Sequence, residues 1–164
     1  MTLLERYEEI LRRLLEEVRM AYGERLVACA VYGSVGRGTQ RADSDVDLLL
    51  VVRGLPAGRL RRVEEFAPVE AQLESLLGPA GPGLAPVALS PVFKTPEELQ
   101  AGSPLLLDMV EDARILHDPH NVLAARLDRL RARLRELGAR RVPHGGGWYW
   151  ELKPDLAPGE VFTL

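Results

Sequence analysis

Cysteine is almost missing from this chain: Cys29 stands alone among 164 residues, so no internal disulfide is available. A buried thiol in a reducing compartment is the reading, with the cytoplasm as the expected location. Long apolar runs are missing too. None approaches the roughly 18 residues that a membrane-spanning helix needs, and Met1 to Glu9 carries acids where a secretory leader has a basic patch. Neither a membrane span nor a leader is expected. A basic surplus is absent as well, since the net charge is −3 and the pI is about 5.7; a protein that grips long nucleic acid needs a net basic surface to release counterions. Bulk nucleic acid is therefore not expected as a partner. Lysine is scarce, with Lys94 and Lys153 against a background of arginine. Arginine forks suit phosphate and carboxylate partners, although coding bias or heat adaptation explains the skew equally well. What the chain does have is 46% hydrophobic and 27% charged residues and a mean hydropathy of −0.06, the composition of one folded domain with a sizeable core.

Apolar residues recur at helical spacing from Thr2 to Tyr22, with Gly23 as the stop. Leu26 to Tyr32 and Val46 to Val52 are continuous apolar runs of strand length. The second is apolar at odd and even positions alike, so it is expected to be central and buried on both faces. Ala57 to Leu77 reads as a helix bent at Pro68, 78–86 as a Gly- and Pro-rich loop, and Val87 to Phe93 as a strand that Pro91 assigns to an edge or a bulge. Thr95-Pro96 with Glu98 is a capping-box start to a helix, interrupted near Gly102 to Pro104 and resumed to about Asp112. Asn121 to Leu137 carries a leucine stripe and arginines. Beyond it, Arg140 to Val142, a glycine-rich turn and Trp148-Tyr149-Trp150 read as a hairpin.

The chemistry is concentrated in Val31 to Val52, VYGSVGRGTQRADSDVDLLLVV. Asp45 and Asp47 lie two apart at a strand start, so both carboxylates project from one face. A pair of that kind can share divalent metal, and two ions about 3.5–4 Å apart can clamp the oxygens of a phosphoryl transfer. Gly33-Ser34 follows a strand and opens toward a short helix, which offers backbone N–H groups and a hydroxyl to a phosphate. Arg37 or Arg41 could add charge neutralisation. The loop has no lysine for a P-loop, and Gly33, Gly36 and Gly38 have the wrong order for a dinucleotide fingerprint.

Gly33-Ser34, ten intervening residues and Asp45-Val46-Asp47 resemble the signature of the DNA polymerase beta-type nucleotidyltransferase superfamily, in particular its minimal nucleotidyltransferase domains. The resemblance spans about Leu26 to Val52. It implies an α+β fold in which helices flank a mixed sheet, with two Mg²⁺ ions bound beside a nucleoside triphosphate. It also implies transfer of a nucleoside monophosphate, AMP from Mg-ATP, to a hydroxyl acceptor with release of pyrophosphate. Carried over by position, Gly33 and Ser34 hold the triphosphate, and Asp45 and Asp47 are the catalytic metal ligands; Arg37 joins them as a nucleotide contact on the charge-neutralising argument alone. Many minimal members resemble antitoxins that modify a helical HEPN-type ribonuclease, so a partner protein is the expected acceptor, with small molecules such as aminoglycosides as the alternative.

Active members of this superfamily usually carry a third carboxylate on a later strand, where Val87 to Phe93 has Ser90 and no acid. Glu70, Glu74, Asp108, Glu111 and Asp112 lie on expected helices instead. The departure keeps a second expectation open, a catalytically degenerate member that binds nucleotide or a partner. Residues 1–118 are read as the nucleotidyltransferase core, and 119–164 as a helix and aromatic hairpin packed on the same domain. The arginines from Arg126 to Arg141 are expected to form a solvated face. His117 and His120 are expected to be surface residues, and Trp148 and Trp150 to pack on the core or on a second copy in a homo-oligomer.

Overall fold

Thr2 starts the first helix, α1 (Leu3–Tyr22), through a reciprocal capping box: its hydroxyl accepts from the Glu5 N–H, and the Glu5 carboxylate accepts from the Thr2 N–H at 2.6 Å. The computed structural model describes residues 1–79, 81 and 85–164. Gly23 ends α1 with φ 54, and the chain passes into β1 (Leu26–Tyr32) and the short helix α2 (Gly33–Arg37). Then follow β2 (Val46–Val52), α3 (Arg59–Leu77), β3 (Leu89–Lys94), α4 (Pro96–Ala101), α5 (Leu105–Asp112), β4 (Arg114–His117), α6 (Val122–Glu136), and the hairpin strands β5 (Arg140–His144) and β6 (Gly147–Glu151).

The sheet runs β3-β2-β1-β4. β1 is antiparallel to both β2 and β4, and β2 is parallel to β3, so the sheet is mixed. Central β2 is covered on both faces, as its apolar run anticipates. Leu48, Leu50 and Val52 pack with α1 and with Phe66, Val69 and Leu73 of α3. Leu49 and Val51 pack with Leu99, Leu106, Met109 and the α6 leucines Leu123, Leu127, Leu130 and Leu134. Because side chains alternate along a strand, Asp47 projects to the same side as Leu49 and Val51, the side of α4, α5 and α6. Cys29 is fully buried in β1, and burial pushes its thiol to about 12, which makes it unreactive.

Several expectations shift in detail. The third helix begins at Arg59 rather than Ala57 and runs through Pro68, and β3 begins at Leu89 rather than Val87, on the sheet edge where Pro91 is tolerated. Of the loop expected over 78–86, positions 80 and 82–84 lie outside the described residues. β4 was not expected: Arg114 to His117 offers only four residues, and its Arg114 and Ile115 are exposed. Asp118, between the two histidines, caps α6 by accepting from the N–H groups of Val122 and Ala124, each at 2.8 Å. The solvated-arginine expectation fails at Arg126, which is 9% exposed, lies against Gly102 and has its pKa lowered by burial. No helix among the described residues is long and apolar enough to cross a membrane.

Candidate active site

Register assembles the site. Tyr32, the last residue of β1, pairs with Asp47 of β2, and Asp47 pairs in turn with Ser90 of β3. The residue after Tyr32 is Gly33, which therefore arrives beside the Asp47 carboxylate. Its φ is +63, and an added Cβ would land on Asp47 Oδ2. A side chain is excluded there twice, by backbone conformation and by contact, so the glycine is what lets backbone N–H groups and carboxylate share one small volume. Ser34 follows in the first turn of α2. Asp45 lies one residue before β2 and is exposed, whereas Asp47 is half-buried.

The two carboxylates feel each other. Burial raises the pKa of Asp47, the Asp45 charge raises it further, and the Arg37 charge opposes both. The loop leading to Asp45 is tethered from beneath: the buried Tyr7 hydroxyl donates to a backbone carbonyl of this loop, either that of Ser44 at 2.5 Å or that of Arg41 at 3.1 Å. Ser44 closes the local turn by accepting from the Arg41 N–H at 2.8 Å. Asp43 lies in that turn.

Arg37 comes to the site with company that no short-range pattern announces. Its Nη1 donates to Asp112 of α5 at 2.7 Å, and Asp112 is 4% exposed. Arg141 of β5 reaches the same carboxylate at 3.1 Å. Trp148 of β6 meets both guanidinium groups, with Arg37 Cζ 4.8 Å and Arg141 Cζ 4.2 Å from its ring centroid. Gly36 fits the same junction, since a Cβ there would strike the Asp112 carbonyl oxygen. Sequence reasoning missed Asp112, Arg141 and Trp148 as neighbours of Arg37. The separation of 75 positions between Arg37 and Asp112 leaves no periodic signal, and Gly36 was the one local hint of a close approach.

The later strand indeed presents Ser90, not an acid, in register with Asp47. Among the helical acids, Asp112 is committed to two arginines and Glu111 pairs with Arg141. Asp108 and Asp47 both act on Tyr32, whose phenol is pushed up to about 12 chiefly by burial. Glu70 lines a cavity shared with Tyr32, Arg59 and Ser90. Among the described residues no group of three or more His, Cys, Asp or Glu side chains is placed to hold a metal. The candidate ligands are the Asp45 and Asp47 pair. Two hard carboxylates beside a phosphate-accepting backbone fit Mg²⁺, which takes one or two protein carboxylates and completes its shell with water and phosphate oxygens.

The mixed sheet, with Gly33 set against a strand-borne carboxylate, points to a nucleotide-handling protein. A family model, the nucleotidyltransferase domain, matches residues 11–117, more than half of the chain, and the chain belongs to that family of enzymes. A protein of Methanocaldococcus jannaschii named for protein adenylyltransferase activity is 25% identical over 130 residues, which is 78% of this chain and 83% of that protein. Protein adenylyltransferase MntA of Thermococcus cleftensis is 37% identical over 78 residues, 48% of this chain and 72% of that protein. Among solved structures, a toxin–antitoxin crystal structure with AMP-PNP aligns with 78% of this chain and 92% of its own at 15% identity and a TM-score of 0.47. A chain from the complex of tri-AMPylated Shewanella oneidensis HEPN toxin with MNT antitoxin aligns with 80% and 92% at 12% identity and a TM-score of 0.45.

Proposed function

We propose that this protein transfers AMP from Mg-ATP to a hydroxyl on a partner protein of the helical HEPN type, as the antitoxin of a toxin–antitoxin pair, in the cytoplasm. The observation that carries the reading is the apposition of the Gly33 backbone to the Asp47 carboxylate, where the Asp45 charge is also felt. The naming of two relatives as protein adenylyltransferases supports a protein acceptor and the adenylyl group.

In this reading Gly33 and Ser34 present backbone N–H groups and a hydroxyl to the triphosphate, and Arg37 offsets part of its charge. Asp45 and Asp47 would hold Mg²⁺, two ions with nucleotide bound, which supplies charge neutralisation of the phosphates and alignment of the reacting oxygens. The acceptor hydroxyl oxygen bonds to the α-phosphorus as the α–β anhydride bond breaks; the hydroxyl proton passes to water and pyrophosphate leaves. The chain's own contribution is orientation and a fixed electrostatic frame.

One observation favours a second reading, nucleotide binding without transfer: Ser90 occupies the strand position beside Asp47 where an acid would complete the set. A single experiment separates the two. Incubating the protein with labelled ATP, Mg²⁺ and the small helical protein encoded beside it should label that partner, and Asp45→Asn/Asp47→Asn should abolish the labelling. Metal-dependent ATP binding with no label on the partner would favour the second reading, and the absence of both would sink the first and the second together.

A further inference from the structure

The C-terminal hairpin has no role in the family motif, yet it meets the motif at Arg37. The Asp112 carboxylate, almost wholly buried, receives Arg37 Nη1 and Arg141 Nη2. Glu111 also pairs with Arg141, at 3.2 Å, so two carboxylates balance two guanidinium groups and Arg37 shares Asp112 with Arg141. The Trp148 ring is within cation–π distance of both guanidinium groups. Arg37 spends one nitrogen on Asp112, its side chain is still 31% exposed, and its charge is felt at Asp47. A guanidinium has five N–H donors in a rigid fork. Anchored at one nitrogen and held against the Trp148 ring, the group loses little further freedom when its remaining donors meet an anion beside Asp47.

We infer that Asp112 and Trp148 are positioning residues for nucleotide binding, which hold Arg37 with free donors directed to the triphosphate and make the hairpin a working part of the site. The inference rests on the proposed nucleotide site and adds to it the wall on the α5 and hairpin side. Its opposite is physically distinct: if Asp112 and Trp148 held Arg37 back from the phosphates, loosening them would tighten nucleotide binding.

The test is a double-mutant cycle on the full chain, read by calorimetric titration with Mg²⁺ and a non-hydrolysable ATP analogue. Trp148→Ala and Arg37→Ala should each weaken binding by about tenfold, the scale of one charge-assisted contact. The double variant should bind no more weakly than Arg37→Ala alone, because the tryptophan acts through the arginine. Trp148→Phe, which keeps a ring under the guanidinium, should restore most of the affinity. Asp112→Asn should match Trp148→Ala; its folding is checked by thermal melting, and Trp148→Ala stands on its own should Asp112→Asn fail to fold. Unchanged or tighter binding by Trp148→Ala, or losses that multiply in the double variant, would overturn the inference while leaving nucleotide binding intact. A wild-type chain that does not bind the analogue at all would overturn the underlying site and this inference with it.

Discussion

Gly33 and Asp47 illustrate how two residues define what the rest must accommodate. Gly33→Ala adds one methyl group where φ is +63 and where the Asp47 carboxylate already sits, so the loop or the carboxylate must move. The expected outcome is loss of Mg-ATP binding by more than about tenfold, with a melting temperature that falls by only what one strained residue of roughly 1–3 kcal/mol costs. Calorimetry beside thermal melting checks both. Asp47 gives a second prediction, in pH. Its pKa in the folded chain is raised above 3.8, so the folded state keeps the proton to higher pH than the unfolded state does. Stability from this group is therefore fullest below pH 3.8 and is lost as pH rises through the raised value. Without metal, Asp47→Asn should melt above wild type near neutral pH, and the gap should close as the solution is made acidic. Added Mg²⁺ should raise the melting point of wild type and leave the variant where it was. A variant that melts lower than wild type at neutral pH would contradict the assignment of burial and Asp45 as the causes.

Elements whose signals are local were legible, and those whose signals are distant were not. The Leu26–Tyr32 and Val46–Val52 strands lie where their apolar runs end, because a glycine and a polar loop bound them and neither face meets water. The Thr95 start of α4 is a three-residue signal and behaves as one: the Thr95 hydroxyl accepts from the Glu98 N–H and the Glu98 carboxylate accepts from the Thr95 N–H at 2.9 Å. By contrast β4 has too few residues to show a period, and it exists because its backbone finds β1. The site divides in the same way. The candidates Gly33, Ser34, Asp45 and Asp47 come from local spacing, and the approach of Gly33 to Asp47 follows from adjacent strands, whereas the contacts of Asp112 and Trp148 with Arg37 depend on α5 and the hairpin reaching α2. At the element scale the Thr95 box carries a prediction of its own. Hydrogen bonds from Arg62, then Thr95, hold Glu98 at a pKa of about 2. A depressed carboxylate stabilises the fold above its unfolded pKa of 4.5 and ceases to do so as pH falls toward 2. Glu98→Gln should therefore be less stable than wild type at pH 7, by an amount that shrinks across that interval in denaturant titrations. Thr95→Ala should cost about 1 kcal/mol.

At the scale of the whole molecule, the sheet needs covering on both faces, and α6 supplies much of one. Leu123, Leu127, Leu130 and Leu134 share a cluster with Leu49, Val51 and Met109. A chain ending at 118 would leave that face open to water and should aggregate or bind hydrophobic dyes, since each lost core leucine is worth about 2–5 kcal/mol. A chain ending at 138 keeps α6 and loses the hairpin. It should remain folded by circular dichroism yet bind Mg-ATP more weakly, to the extent expected of Trp148→Ala. We propose accordingly that 119–164 packs with 1–118 as one domain, with the hairpin serving the site and the helix serving the core.

In the proposed function Asp45 and Asp47, beside Gly33-Ser34, support transfer of AMP to a protein. The measurement that meets it most directly is the intact mass of the helical partner after incubation with this protein and Mg-ATP. The account predicts a mass increase of one or more adenylates with wild type, accompanied by pyrophosphate, and a decrease of more than about a hundredfold in rate with Asp45→Asn/Asp47→Asn, as expected when metal-borne charge stabilisation is removed. A partner that stays unmodified although wild type binds Mg-ATP, or one that is modified equally well by the double variant, would contradict it.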